Sequence, residues 1–122
     1  MQGRTLATTK KHSFTGTHLL LRYEECAADL DDLAFVDRAL EDALVAAGAT
    51  VLGKSTARFE PQGLSVVCLL AESHASIHTY PEVRSAFIDF FTCGTSTSPE
   101  RFEAALKASL APKRVHTETV QR

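Results

Sequence analysis

The chain alternates short apolar runs with polar breaks, and the period of each run names the element it predicts. Residues 1–15 (MQGRTLATTKKHSFT) are polar and aperiodic and predict a flexible N-terminal tail, with residues 16–122 forming a single domain. The run His18-Leu19-Leu20-Leu21-Arg22-Tyr23 is short and largely apolar, as a buried strand is. Asp29, Asp31 and Asp32 then offer N-cap and first-turn carboxylates to a helix. Its apolar stripe, Leu33, Val36, Leu40, Leu44 and Ala47, advances in steps of three and four, and Gly48 stands where such a helix stops. Ala49 to Phe59 predicts a strand, Pro61-Gln62-Gly63 a turn, and Leu64 to Ala71 a second apolar strand closing a hairpin.

From His74 to Tyr80 the pattern alternates strictly. Ala75, Ile77 and Thr79 fall on one face, and His74, Ser76, His78 and Tyr80 on the other. Ala86 to Thr92 is a further β-rich run. Ser98-Pro99-Glu100 starts a second helix, with Ser98 as its cap and Phe102, Leu106 and Leu110 as its inner face. Val115 to Val120 predicts a closing edge strand. Helices separated by hairpin-connected strands give an α+β fold: a two-layer α/β sandwich with a mostly antiparallel sheet and both helices packed on one face.

Composition narrows the function classes. With 122 residues the chain buries enough surface to need neither disulfide nor metal for its core. A net charge of −2 gives no electrostatic case for nucleic acid or an anionic membrane, so neither is expected as a partner. No apolar run approaches the length of a membrane span. Cys26, Cys68 and Cys93 are odd in number and show no paired spacing, which predicts free thiols in a reducing, cytoplasmic setting.

The polar residues that call for explanation lie between Ser65 and Cys93, set among apolar strands. Residue types alone leave three readings open. His74 and His78, with Cys93, could hold a metal, although on a strand a separation of four keeps the two rings apart. Ser65, Ser73 or Cys93 could act as a nucleophile with His74 or His78 as base, although no ordering motif selects a pair. Alternatively the histidines, serines and Cys93 are ordinary structural residues.

The stretch Gly63 to Gly94, GLSVVCLLAESHASIHTYPEVRSAFIDFFTCG, resembles the processing and active-site region of the prokaryotic S-adenosylmethionine decarboxylases. Gly16-Thr17-His18-Leu19-Leu20, Leu30-Asp31-Asp32, Gly48 to Gly53 and Phe59 to Gly63 match the same pattern, so the resemblance covers nearly everything after about residue 16. It implies self-cleavage between Glu72 and Ser73 into a β-chain (1–72) and an α-chain (73–122), with Ser73 converted to a pyruvoyl cofactor. By the same resemblance Ser65 and His78 assist processing, and Cys93 is the proton donor in decarboxylation. The resemblance also implies that the pyruvoyl group forms a Schiff base with the substrate, that no metal is involved, and that Phe59, Tyr80 and Glu82 bind S-adenosylmethionine. The product is the aminopropyl donor for spermidine biosynthesis, and the expected assembly is a homodimer of αβ units.

Three positions depart from the family pattern. Tyr80 stands for tryptophan, Ala75 for a larger aliphatic residue, and Val83-Arg84-Ser85 for Tyr-Gly-Tyr. An Arg84 facing the pocket would repel a cationic substrate, which motivates an alternative: decarboxylation of another amino acid, such as ornithine or arginine. A second alternative is an uncleaved, non-catalytic regulatory homologue. Strict alternation also places Ser73 on the face opposite His74 and His78, so a bend near the cleavage site is required to bring them together.

Overall fold

The computed structural model describes residues 14–122. The expected tail at 1–15 therefore lies almost wholly outside the described residues. Six strands and two helices follow one another as β1 (Gly16–Glu24), α1 (Leu33–Ala47), β2 (Val51–Arg58), β3 (Leu64–Leu70), β4 (Ser73–Tyr80), β5 (Ser85–Cys93), α2 (Pro99–Leu110) and β6 (Arg114–Gln121). The strands form one sheet in the order β2-β3-β4-β5-β1-β6, and every neighbouring pair is antiparallel. The α+β sandwich expected from the pattern is the fold observed.

Helix α1 forms where the stripe predicts it. Val36, Leu40, Leu44 and Ala47 are buried, and Ala39 and Ala43 widen the buried face. Gly48 ends the helix in the left-handed conformation (φ +83°), its N–H reaching the carbonyls of Leu44 and Val45. Of the three aspartates only Asp32 caps the helix, accepting the Phe35 N–H, and no acid lies in the first turn. Asp29 instead accepts the Asp31 N–H, and the Asp31 carboxylate accepts the Gly63 N–H across the molecule. The reason is local: Asp29 and Asp31 precede the helix and serve the turn that leads into it.

In α2, Ser98 accepts the Arg101 N–H, and Phe102, Leu106 and Leu110 are fully buried. Phe90 of β5 stacks on Phe102 with ring centroids 4.7 Å apart, joining sheet to helix. The core thus lies between the helix layer and one face of the sheet, with Tyr23, Val66, Ile77 and Phe90 among its sheet-side members. Burial at Cys26 and Cys68 pushes both thiols above their ordinary range, Cys26 to about 11, so neither ionises readily near neutrality.

The other face of the sheet carries no helix. It presents Ser65, Val67 and Leu69 from β3, His74, Ser76, His78 and Tyr80 from β4, and Phe87, Asp89 and Phe91 from β5. The alternation read from His74 to Tyr80 is the alternation found. Val67, Leu69 and Phe87 stand about half exposed on this face, an unusual display of apolar surface for a half-sheet facing solvent.

Candidate active site

The chemistry-bearing residues sit in three places on this open face. The first is where β4 begins. Ser73 pairs with Thr92 in the register, which by parity turns its side chain toward the core with Ala75. Its φ of +157° departs from the strand basin, in a region that L-residues rarely adopt. Ser73 Oγ then lies 3.4 Å from Cys93 Sγ. The Glu72 carbonyl accepts the Cys93 N–H at 3.2 Å, and the Glu72 carboxylate accepts the Thr50 N–H at 3.1 Å. The peptide between Glu72 and Ser73 is therefore held on both sides, with a hydroxyl, a thiol and an oxygen-binding N–H gathered at one point. The bend expected to bring Ser73 to His74 and His78 is not found within the chain: Ser73 keeps its place opposite Thr92 and meets Cys93 instead.

The second place is the other end of β4. Ser65 and His78 are direct cross-strand partners, and Ser65 Oγ and His78 Nδ1 are joined by a 2.7 Å hydrogen bond. Together with Phe59, Tyr80 and Glu82 they line a cavity of about 370 Å³. Phe59 and Glu82 belong to turns at either side of it, and the Phe59 turn is pinned by Gly63, whose carbonyl accepts the Phe59 N–H and whose N–H reaches Asp31. Arg84 is not among the residues that line this cavity. It ends the 3₁₀ turn Pro81–Val83 at φ +50°, and its carbonyl accepts the Cys26 N–H. A left-handed φ of this kind is one that glycine adopts without strain.

Ser73 and His78 are five positions apart on one strand, about 16 Å at the rise of a β-strand. One chain therefore does not bring Ser73 and Cys93 together with Ser65 and His78. Nor does it assemble His74, His78 and Cys93 around one point, as a metal site of those three would need.

The third place was not visible in the sequence. His18 of β1, His74 of β4 and Asp89 of β5 converge, because β5 lies between β1 and β4 and the register sets all three on the open face. Asp89 Oδ2 lies 2.7 Å from His18 Nε2 and 3.3 Å from His74 Nε2, while Ser76 Oγ donates to Oδ1. Burial raises the Asp89 acid, but the hydrogen bonds from Ser76 and His18 and the nearby imidazoles outweigh it and hold the carboxyl below its ordinary value. The alternation of β4 placed His74 correctly. Nothing local told which strands would flank it.

Three comparisons bear on this arrangement. Residues 17–122 match the family model described as S-adenosylmethionine decarboxylase. The S-adenosylmethionine decarboxylase proenzyme of Prochlorococcus marinus (strain MIT 9313) is 44% identical over 108 residues, covering 88% of this chain and 86% of its own. That of Methanococcus aeolicus is 41% identical over 108 residues, covering 88% and 92%. The crystal structure of the adenosylmethionine decarboxylase from Aquifex aeolicus VF5 superposes with a TM-score of 0.82 at 33% identity, covering 93% of this chain and 92% of that one. With a matching family pattern, relatives at this identity over most of their length and the same fold, the chain belongs to the S-adenosylmethionine decarboxylase family.

Proposed function

We propose that the protein cleaves its own backbone between Glu72 and Ser73, and that the resulting pyruvoyl group at Ser73 equips it to decarboxylate S-adenosylmethionine. The observation that carries the reading is the setting of that peptide: Ser73 Oγ beside Cys93 Sγ, with the Glu72 carbonyl on the Cys93 N–H. In the cut, Ser73 Oγ adds to the Glu72 carbonyl carbon, and the Cys93 N–H meets the charge that develops on the oxygen. The C–N bond breaks, the nitrogen takes the hydroxyl proton, and an ester links Glu72 to Ser73. Loss of the Ser73 Cα proton expels the Glu72 carboxylate, and water displaces the nitrogen as ammonia. The product is a β-chain of residues 1–72 and an α-chain beginning with the pyruvoyl group.

That group, once formed, supplies an electron sink for the pair released with carbon dioxide. It fits the site, because it arises in place from Ser73 and needs no loading. The Cys93 thiol lies within reach of it, 3.4 Å from Ser73 Oγ, and is the proton donor of this reading. The Phe59 ring offers an apolar plate for adenine, Tyr80 a second aromatic surface, and Glu82 a carboxylate for the ribose diol. A volume of about 370 Å³ is within the usual range of a small-ligand pocket. With Arg84 outside it, the electrostatic argument for a different amino acid loses its basis. Decarboxylated S-adenosylmethionine, the aminopropyl donor for spermidine, is the product this reading assigns.

The two ends of β4 have to meet for all these residues to serve one bond. A two-fold contact between open faces does this, since an isologous interface that sets Ser73 against a second copy's His78 sets His78 against that copy's Ser73. Val67, Leu69 and Phe87 supply apolar area for such a contact. The assembly proposed is thus a homodimer of αβ units with two shared sites.

Mass measurement of the denatured protein tests the first step: two fragments are expected, the α-chain carrying a carbonyl that hydride reduces, and Ser73→Ala leaves one full-length chain. Finding only the full-length chain in the unsubstituted protein favours a regulatory, non-catalytic role. Carbon dioxide release from S-adenosylmethionine by cleaved protein tests the second step. Cleaved protein that turns over ornithine or arginine but not S-adenosylmethionine sinks the substrate assignment.

A further inference from the structure

We infer that His18, His74 and Asp89 form a binding site for a divalent transition-metal ion of the zinc class, distinct from the residues proposed to process the chain or bind substrate. The three donor atoms, His18 Nε2, His74 Nε2 and Asp89 Oδ2, all lie within 4.8 Å of one another. A tetrahedral zinc with ligands at about 2.0–2.1 Å sets neighbouring donor atoms roughly 3.3 Å apart. Of the two contacts made by Asp89 Oδ2, the one at 3.3 Å matches that edge and the one at 2.7 Å is shorter than it. Only the separation of the two imidazole nitrogens has to close, and both rings sit on side chains and not on fixed backbone.

Two further observations point to an ion. Both Nε2 atoms address the same carboxylate oxygen, so two nitrogen donors and one oxygen donor converge on a single point. The second carboxylate oxygen is held by Ser76 Oγ, the kind of outer hydrogen bond that fixes a ligating carboxylate. Two imidazoles and one carboxylate favour zinc, cobalt or nickel over magnesium or calcium, which take oxygen ligands. Phe91 packs against both imidazoles and closes one side, and His18, His74 and Asp89 are only partly buried within one chain.

The site ties three adjacent strands together one residue from Ser73, yet its occupation can be read without any reference to cleavage. Cobalt(II) is titrated into the chelator-treated full-length protein and its visible d–d absorption is followed, with zinc added afterwards as competitor. One cobalt per chain, displaced by zinc, is expected. His74→Gln, which changes the most exposed of the three ligands, and Asp89→Asn each weaken binding by at least about 10-fold, the size of loss that outer-shell changes alone produce. His116→Gln on β6, outside the cluster, leaves the titration unchanged. Absence of saturable absorption, equal affinity in His74→Gln and the unsubstituted chain, or an absorption that disappears with Cys93→Ser would each overturn the assignment. The His74→Gln arm decides the matter even where Asp89→Asn fails to fold.

Discussion

Co-expression of two inactive variants, Ser73→Ala and His78→Ala, tests whether the ends of β4 work across a subunit boundary. Each variant alone lacks one partner in every site and stays uncleaved. In a mixed dimer, one site loses both residues, whereas the other takes its intact Ser73 from the His78→Ala chain and its intact His78 from the Ser73→Ala chain. Random pairing makes about half the dimers mixed, so about one quarter of all sites are complete. About one quarter of the total chain should then be cut, and every cut chain should carry His78→Ala. The separation of about 16 Å along β4 is what makes this prediction sharp. A side chain moves a few ångströms at most, so no rotamer change lets Ser73 and His78 of one chain share a bond. Two distinguishable affinity tags and a mass measurement on the denatured mixture read the result. If tagged mixed dimers are recovered and neither chain is cut, the shared-site geometry is wrong. Cleavage of the His78→Ala chain when expressed alone would refute the part assigned to His78.

Three smaller predictions concern stability. Arg84→Gly relieves a left-handed residue that costs about 1–2 kcal/mol, against about 0.5–1 kcal/mol for the added freedom of glycine, so a small gain in the urea midpoint is expected and a loss would show that Arg84 makes a contact of its own. Tyr23 is fully buried and its hydroxyl has no partner among the described residues, so Tyr23→Phe should leave stability unchanged or raise it by about 1 kcal/mol; a loss beyond about 1 kcal/mol would reveal a bound water. The Asp89 carboxyl is held below its ordinary 3.8, so its contribution is present above that value and is lost as pH falls through the lower folded value. Urea unfolding below about pH 4 should therefore fall less steeply for Asp89→Asn than for the unsubstituted chain, and parallel curves would remove Asp89 from the acid response.

Much of the fold is legible in the residues because its elements are amphipathic in simple ways. The stripe from Leu33 to Ala47 and the alternation from Ala75 to Tyr80 are each dictated by one buried face, and burial follows them closely. Caps were legible where the side chain serves its own helix, as Asp32 and Ser98 do. Asp31 was misassigned to the helix because its partner, the Gly63 N–H, comes from a turn 32 residues away. The convergence of His18, His74 and Asp89 depends on strand order, which no local period encodes. The reach between Ser73 and His78 is different: five residues look close in a motif, and only the extended conformation of β4 pulls them apart. Ser73 itself breaks the local rule, since a strand pattern gives no reason for φ +157°, and it does so at the peptide where strain has a chemical use.

The strand order β2-β3-β4-β5-β1-β6 has a consequence for what the protein becomes once cut. Severing Glu72 from Ser73 gives one piece that owns β1, β2 and β3 and another that owns β4, β5 and β6. Across the sheet these alternate in blocks, so the pieces are laced together at three ladders: β3 with β4, β5 with β1, and β1 with β6. Neither piece can leave without tearing β1 out from between two strands of the other. Joining these two halves is unimolecular while one chain carries both, but after the cut they would have to meet by diffusion, and recovery of the αβ unit from denaturant would become second order in protein. The proposed cleavage would thus make survival depend on never fully unfolding, a kinetic commitment made at a single peptide bond.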